Sequence, residues 1–230
     1  MPINAEHAFG NGISLEKPTA YQKRLWSVLS IVHSAYRTKA QIATAWQQFK
    51  QQANISPACL LGPQAWCVNM QADPQRICLE GRVICRGLLR IEAYGDGKIL
   101  LHPEVYLGDD CLISCSNGVE IGNHTLIAHG VQIFDNDTHP LDWQSRLNDW
   151  KSIACGEKHL KPEIPSDPIT IGQYVWIGCN SLIMKGVTIG DRSVVAAGSV
   201  VTKSIPADVV VGGNPARILT ELASSPQALI

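Results

Sequence analysis

The chain has 230 residues, 45% of them hydrophobic, which is enough for one main domain with an appendage. Its net charge is −1 and it has no long basic run, which argues against nucleic acid as the main partner, because phosphate backbones are met by clustered Lys and Arg. Eight scattered cysteines without a CxxC pair (Cys59, Cys67, Cys78, Cys85, Cys111, Cys115, Cys155 and Cys179) read as reduced, mostly buried thiols of a cytoplasmic protein rather than as a disulfide or metal framework.

Met1 to Thr19 mixes Asn, Glu, His, Gly and Pro and is not expected to be a secretory signal. From Thr19 to Ser56 there is no Gly and no Pro. Leu25, Leu29, Val32 and Tyr36 recur at helical spacing, and Ile42, Trp46 and Phe49 continue it. One long helix is predicted, or two with a break near Thr38–Gln41. Its apolar stretch, Leu25 to Tyr36, is too short to span a bilayer. The helix is expected to pack on the rest of the protein or on a neighbouring subunit. Peripheral membrane contact is the alternative, because Lys23, Arg24, Arg37 and Lys39 flank the apolar stretch. Ile55 to Asp73 reads as an irregular connector, so residues 1–72 form an N-terminal, largely helical segment with its connector.

A different pattern follows. Ile171, Ile177, Ile183, Ile189, Val195 and Val201 stand at strict intervals of six. Two residues before successive apolar positions come further inward candidates: Val175, Ser181, Val187, Ser193, Ser199 and Ile205. Side chains two apart share a face of a strand. The remaining residues of each six turn the chain onto the next flat side, and three sides close one coil. The period therefore predicts a mainly β protein, a parallel β-helix of hexapeptides. Leu107 and Ile113 belong to earlier coils, and Ile121, Ile127 and Ile133 resume after a slip of two residues. The coil domain is expected over 73–206, beginning near Ile77, with a loop inserted at 134–168 and a tail at 207–230.

The loop opens with "QIFDNDTHPLD", from Gln132 to Asp142. Long loops in compact domains are usually functional or disordered. His139 has the intrinsic basicity to accept a proton near neutral pH. Asp135, Asp137 and Asp142 are near enough in sequence to hold its ring. Asp142 is also placed to cap a short helix in which Trp143, Leu147 and Trp150 share a face.

"DNDTHPLD", followed by "ITIGQYVWIGCNSLIMKGVTIGDRSVVAAGSVVTKSIPADVVVGGNPARIL", resembles the hexapeptide-repeat O-acetyltransferases of the maltose and galactoside acetyltransferase type, and polysaccharide O-acetyltransferases that share the tail. The resemblance covers roughly Leu89 to Leu219. It implies a left-handed β-helix, a homotrimer with active sites between subunits, acetyl-CoA as donor and a sugar or surface-polysaccharide acceptor. It makes His139 the general base. It puts Trp176 near the pantetheine arm, with Cys179 at the next donor-site position. Ala197, Thr202 and Lys203 match positions at the adenosine and phosphate end, and Arg217 matches an arginine that meets phosphates. Acyl transfer would be direct, since no GxSxG elbow is present. No metal is expected.

The acceptor side departs from the family. The short sugar-binding N-terminal domain is not recognisable in residues 1–70, and paired acids are missing near Ser116 and Asn117. Ser116, Asn117 and Asp137 are therefore provisional acceptor-side candidates. Serine acetyltransferases and amino-sugar N-acyltransferases are the alternatives within acyl transfer. His124 and His129 are similar to the zinc ligands of β-helix carbonic anhydrases, with His102 as a third candidate, but they stand one place later in the hexapeptide. That turns their side chains to the opposite face. A non-catalytic scaffold subunit would need neither the His-bearing loop nor the tail motif.

Overall fold

The computed structural model describes residues 19–155 and 163–222. The readings made on residues 1–18, on the middle of the loop (156–162) and on the end of the tail (223–230) lie outside these. The chain divides into two units at Lys39/Ala40. Helix α1, Ala20–Gln52, is a single element, the first of the two alternatives predicted. In the first unit Leu25, Trp26, Val28, Leu29, Ile31, Val32 and Tyr36 are exposed.

In the second unit the end of α1 closes the coil. Ala45 and Phe49 are buried in the core. Gln48 Oε1 accepts from the Cys67 N–H (3.1 Å), and Gln52 Oε1 from the Asn69 N–H (2.7 Å). An open β-helix end presents unpaired strand groups, and these two glutamines satisfy part of it.

The coil has three flat faces. The first stacks Asn54–Ile55, Ile77–Leu79, Ile99–Leu101, Val119–Ile121, Ile169–Ile171 and Thr188–Ile189 in parallel. The second stacks Leu60–Leu61, Ile84–Cys85, Tyr106–Leu107, Leu126–Ile127, Trp176–Ile177, Val194–Val195 and Val209–Gly213, and ends on antiparallel Ala216–Glu221. The third stacks Trp66–Asn69, Leu88–Ile91, Leu112–Cys115, Gln132–Phe134, Leu182–Ile183 and Val200–Val201. The expected connector at Ile55–Asp73 is therefore the first coil, which starts at Asn54 rather than near Ile77. Its inward residues keep the interval of six (Ala53, Cys59 and Ala65; Ile55, Leu61 and Cys67), but Ala and Cys stand at most of the positions that Ile and Val fill in later coils, so the apolar signal is weak. At the other end the coil continues beyond residue 206, through Val209–Gly213.

The six anchors from Ile171 to Val201 are all buried, as are Val175, Ser181, Val187, Ser193 and Ser199. The buried serines are satisfied: Ser181 Oγ donates to Gly178 O (2.8 Å) and Ser193 Oγ to Pro206 O (2.7 Å). The corners explain the period. Tyr174, Asn180, Gly186, Arg192 and Gly198, also six apart, all have φ between 56° and 74°. One left-handed residue per corner turns the chain from face to face. Gly178 answers a different need, since a Cβ there would lie 2.5 Å from the Ala197 nitrogen of the next coil.

All eight cysteines are free, and five of them (Cys59, Cys67, Cys85, Cys111 and Cys115) are buried. Burial pushes the Cys67 and Cys85 thiols up to about 12, so they act as small apolar fillers. Ile183 pairs with Val201 eighteen residues on, whereas Ile133 pairs with Ile183 fifty residues on. The difference of 32 residues is the loop, which leaves the third face after Phe134.

Candidate active site

Asp135, Asp137 and Asp142 of the loop have separate tasks. Asp135 is fully buried, and its carboxylate accepts the N–H groups of Ser116, Asn117 and Gly118, each at 2.8 Å. Those residues form the corner where the repeat slips by two, so Asp135 fills the space the irregular corner opens. Asp137 pairs with Lys185 on the coil. Asn136 bridges to Ser166, and Asp167 N–H donates to Asp135 O (2.9 Å), so the two ends of the loop are tied together. Asp142 caps helix α2, Trp143–Cys155, by accepting the Ser145 N–H (2.8 Å). That hydrogen bond, reinforced by the nearby Arg146, lowers the Asp142 carboxyl. Trp143, Leu147 and Trp150 are exposed on α2.

The ring of His139 is held by an acid not foreseen. Its Nδ1 lies 2.6 Å from Asp149 Oδ2 on α2. Asp149 is 15% exposed and the His139 side chain 53%. Just before it, the β-branched Thr138 sits at φ 62°, a conformation held by its N–H donating to Asn136 Oδ1 (2.9 Å). Such strain is maintained only where surrounding bonds over-determine it, and here it aims the histidine.

His139 and Asp149 line a cleft of about 440 Å³ between the third face and α2. Its floor comes from two successive coils: Arg90, Glu92 and Tyr94 on and just after one strand of that face, Leu112 and Ser114 on the next. Glu92 is 9% exposed. Its Oε1 accepts from Arg90 Nε and from Ser114 Oγ, both at 2.7 Å. Tyr94 OH donates to Asn136 Oδ1 (3.2 Å). Burial, with the nearby Glu92 and Asp135 carboxylates, pushes the Tyr94 phenol up to about 12, so it stays a neutral donor.

The acceptor-side candidates do not line this cleft. Ser116 is buried against Asp135, Asn117 lends its N–H to the same carboxylate, and Asp137 is taken by Lys185. Arg90, Glu92, Tyr94, Ser114 and Asp149 line it instead. Arg90, on the strand, and Glu92, just after it, stand two apart, a visible signal, but only the loop folding over them makes a site.

The donor-side candidates fall into two groups, and neither lines the His139 cleft. Trp176 is exposed on the second face. Cys179 and Ala197 occupy successive turns of the corner after it, linked through Gly198 N–H to Cys179 O (2.8 Å). Lys203 and Arg217 share a groove of about 420 Å³ at the last coil, and Thr202 adjoins it as the residue before Lys203. Two cations in one groove suit a phosphorylated ligand.

The three histidines of the zinc reading are not brought together. His102 Nδ1 and Nε2 lie 3.0 and 2.8 Å from Glu80 and Glu120, and His124 stacks on Tyr174 with centroids 4.9 Å apart. Among the described residues no group of three or more His, Cys, Asp or Glu is placed to hold a metal.

Comparison with known proteins agrees with this architecture. The family described as bacterial transferase hexapeptide (six repeats) matches residues 168–203. The galactoside O-acetyltransferase of Escherichia coli K12 is 44% identical over 104 residues, 45% of this chain and 44% of that protein. A hexapeptide-repeat-containing acetyltransferase of Vibrio cholerae O1 biovar eltor, solved with acetyl coenzyme A, is 28% identical; the alignment covers 80% of this chain and 88% of that one, with a TM-score of 0.50. An N-acyltransferase from Bacillus cereus shares the fold at 16% identity, with a TM-score of 0.58 over 75% of this chain and 86% of that one. The chain covers between 44% and 64% of the length of the first relatives matched in sequence. The resemblance read from the tail motif holds, and the fold is the left-handed parallel β-helix of hexapeptide-repeat acetyltransferases.

Proposed function

We propose that this hexapeptide-repeat chain is an acetyl-CoA-dependent O-acetyltransferase acting on a hydroxyl of a sugar or surface polysaccharide. The observation that carries the reading is His139, fixed by Asp149 over a cleft where the repeat is interrupted. With its Nδ1–H donated to the carboxylate, the neutral ring presents Nε2 as proton acceptor. Nε2 takes the acceptor's hydroxyl proton as the oxygen attacks the thioester carbonyl. The tetrahedral intermediate collapses, the C–S bond breaks, and the coenzyme leaves as a thiolate that the imidazolium protonates. Backbone N–H groups near the carbonyl would stabilise the oxyanion.

Bound acetyl-CoA supplies the activated acyl group. Lys203 and Arg217 would hold its phosphates, Ala197 and Thr202 its adenosine end, and Trp176 and Cys179 its arm. Because the donor residues and the His139 cleft do not meet within one chain, the reading requires a homotrimer in which neighbours complete each site. The faces support it. Outward residues of the second face are apolar from coil to coil, Leu60, Ile84, Tyr106, Leu126, Trp176 and Val194, whereas the first face presents a mixed row, Asn54, Cys78, Leu100, Glu120, Thr170 and Thr188. A cytoplasmic setting, where acetyl-CoA and reduced thiols occur, fits the eight free cysteines.

The test is release of free thiol from acetyl-CoA over a panel of saccharides, amino sugars and serine. Saccharide-dependent release, lost in His139→Ala, supports the proposal, and release with serine or only with amino sugars overturns its acceptor class. Arg217→Ala should raise KM for acetyl-CoA far more than for a donor lacking the ribose phosphate. Light scattering that reports a monomer would remove the shared site.

A further inference from the structure

In the first unit, α1 presents a wide apolar face to solvent. At 100° per residue, Leu25, Leu29, Val32 and Tyr36 form its midline, flanked by Val28 on one side and Trp26 on the other; Ile31 lies farther round beside Arg24, Lys39 falls on the Val28 flank, and the apolar residues named are all exposed. Lys23, Ser27, Ser30, Ser34 and Arg37 occupy the opposite side, where the Ser27 and Ser30 hydroxyls fold back onto the carbonyls of Arg24 (2.7 Å) and Ser27 (2.8 Å). The charge has one sign. Lys23, Arg24, Arg37, Lys39 and Lys50 are cationic, and no Asp or Glu occurs from Ala20 to Gln52.

Two occupants would cover such a face, and the charges discriminate between them. A second copy of the helix laid parallel would set each cation beside its own equivalent. An antiparallel copy would set Lys23 and Arg24 against Arg37 and Lys39. Helix pairs use acids to offset such contacts, and this one has none. An anionic lipid surface meets both features, since apolar side chains enter the acyl boundary while Lys and Arg reach headgroup phosphates. Trp26 and Tyr36 are the aromatic types that favour that depth. No helix among the described residues is long and apolar enough to cross a membrane. We infer that residues 20–39 lie in the interface of an anionic bilayer and anchor the chain there. This reading is independent of the acyltransferase reading.

Vesicle flotation of the full chain tests it, with phosphatidylcholine alone or mixed with phosphatidylglycerol, at low and high salt. The parent should float with the mixed vesicles at low salt and be released at high salt. Leu29→Glu with Val32→Glu should abolish flotation and leave the melting transition unchanged, because both side chains are exposed. Lys23→Gln, Arg24→Gln and Arg37→Gln should each lower partitioning about fivefold, and they carry the test if the Glu pair fails to fold. A parent that ignores mixed vesicles overturns the anchor, as does a Glu pair that still floats. So does a Glu pair that drops to a smaller oligomer while the parent stays unbound, which would assign the face to a second copy.

Discussion

From Ile169 to Val201 the chain alternates with a period of six, and its buried side chains are Ile, Val and Ser. From Asp135 to Ser166 there is no period, and the contacts that matter are ionic or polar, with Asp135, Asp137, Asp142 and Asp149 each bound to a different partner. The two regions meet at Asp135, which belongs to the loop in sequence and to the coil in its bonds. A stacked coil supplies rigidity but few groups able to move a proton. The loop supplies those groups but needs the coil to fix both its ends. Substitutions in the coil should therefore act on stability, and those in the loop on turnover.

The largest effect is expected inside the coil. Ile183→Asp puts an unpaired carboxylate between Ile133 and Val201 and should remove roughly 4 kcal/mol or more. Circular dichroism should show no cooperative melt, and a parent-like melt would refute the register. His139→Ala is the complementary change. Turnover should fall by roughly two to four orders of magnitude, with the melting temperature and coenzyme binding preserved. If most activity survives, the loop is an acceptor clamp and not the base.

The joint between the regions should show both effects. Asp135→Asn weakens contacts to three backbone N–H groups and should lose about 2–3 kcal/mol, measured by urea unfolding, together with a fall in kcat. A change in one quantity alone would mean that coil and loop are not coupled there. Asp149→Asn should be milder, lowering kcat by roughly one to two orders of magnitude because the imidazole remains. An altered KM with kcat unchanged would instead make Asp149 an acceptor contact.

The smallest effect belongs to the first face. Hydrogen bonds to Glu120 and then Glu80 raise the His102 imidazole above its ordinary value, against the opposing effect of burial. A raised folded value contributes stability that is fully present below the ordinary imidazole range and is lost as pH rises through the folded value. Stability should therefore decline slightly on passing from mildly acidic to alkaline pH, and His102→Gln should flatten that decline.

By itself, the sequence determined the coil wherever its period held. Inward anchors six apart and one left-handed corner per six are local requirements, written into each hexapeptide, so Ile171 to Val201 could be placed without coordinates. It also marked His139, because a polar cluster interrupting an apolar repeat is visible along the chain, and it anticipated the α2 cap at Asp142. Only the tertiary structure decided the rest. The first coil, from Asn54 to Asn69, keeps the interval of six but fills most inward positions with Ala and Cys, too weakly apolar to stand out, and pairing with the next coil reveals it. Asp149 reached His139 because α2 folds back, not because ten residues separate them. Arg90 and Glu92 lie more than forty residues before His139 and become part of its cleft only when the loop closes over the third face. Periodicity reports which way a side chain points, whereas contact between distant segments depends on how the chain returns, and no local pattern encodes that.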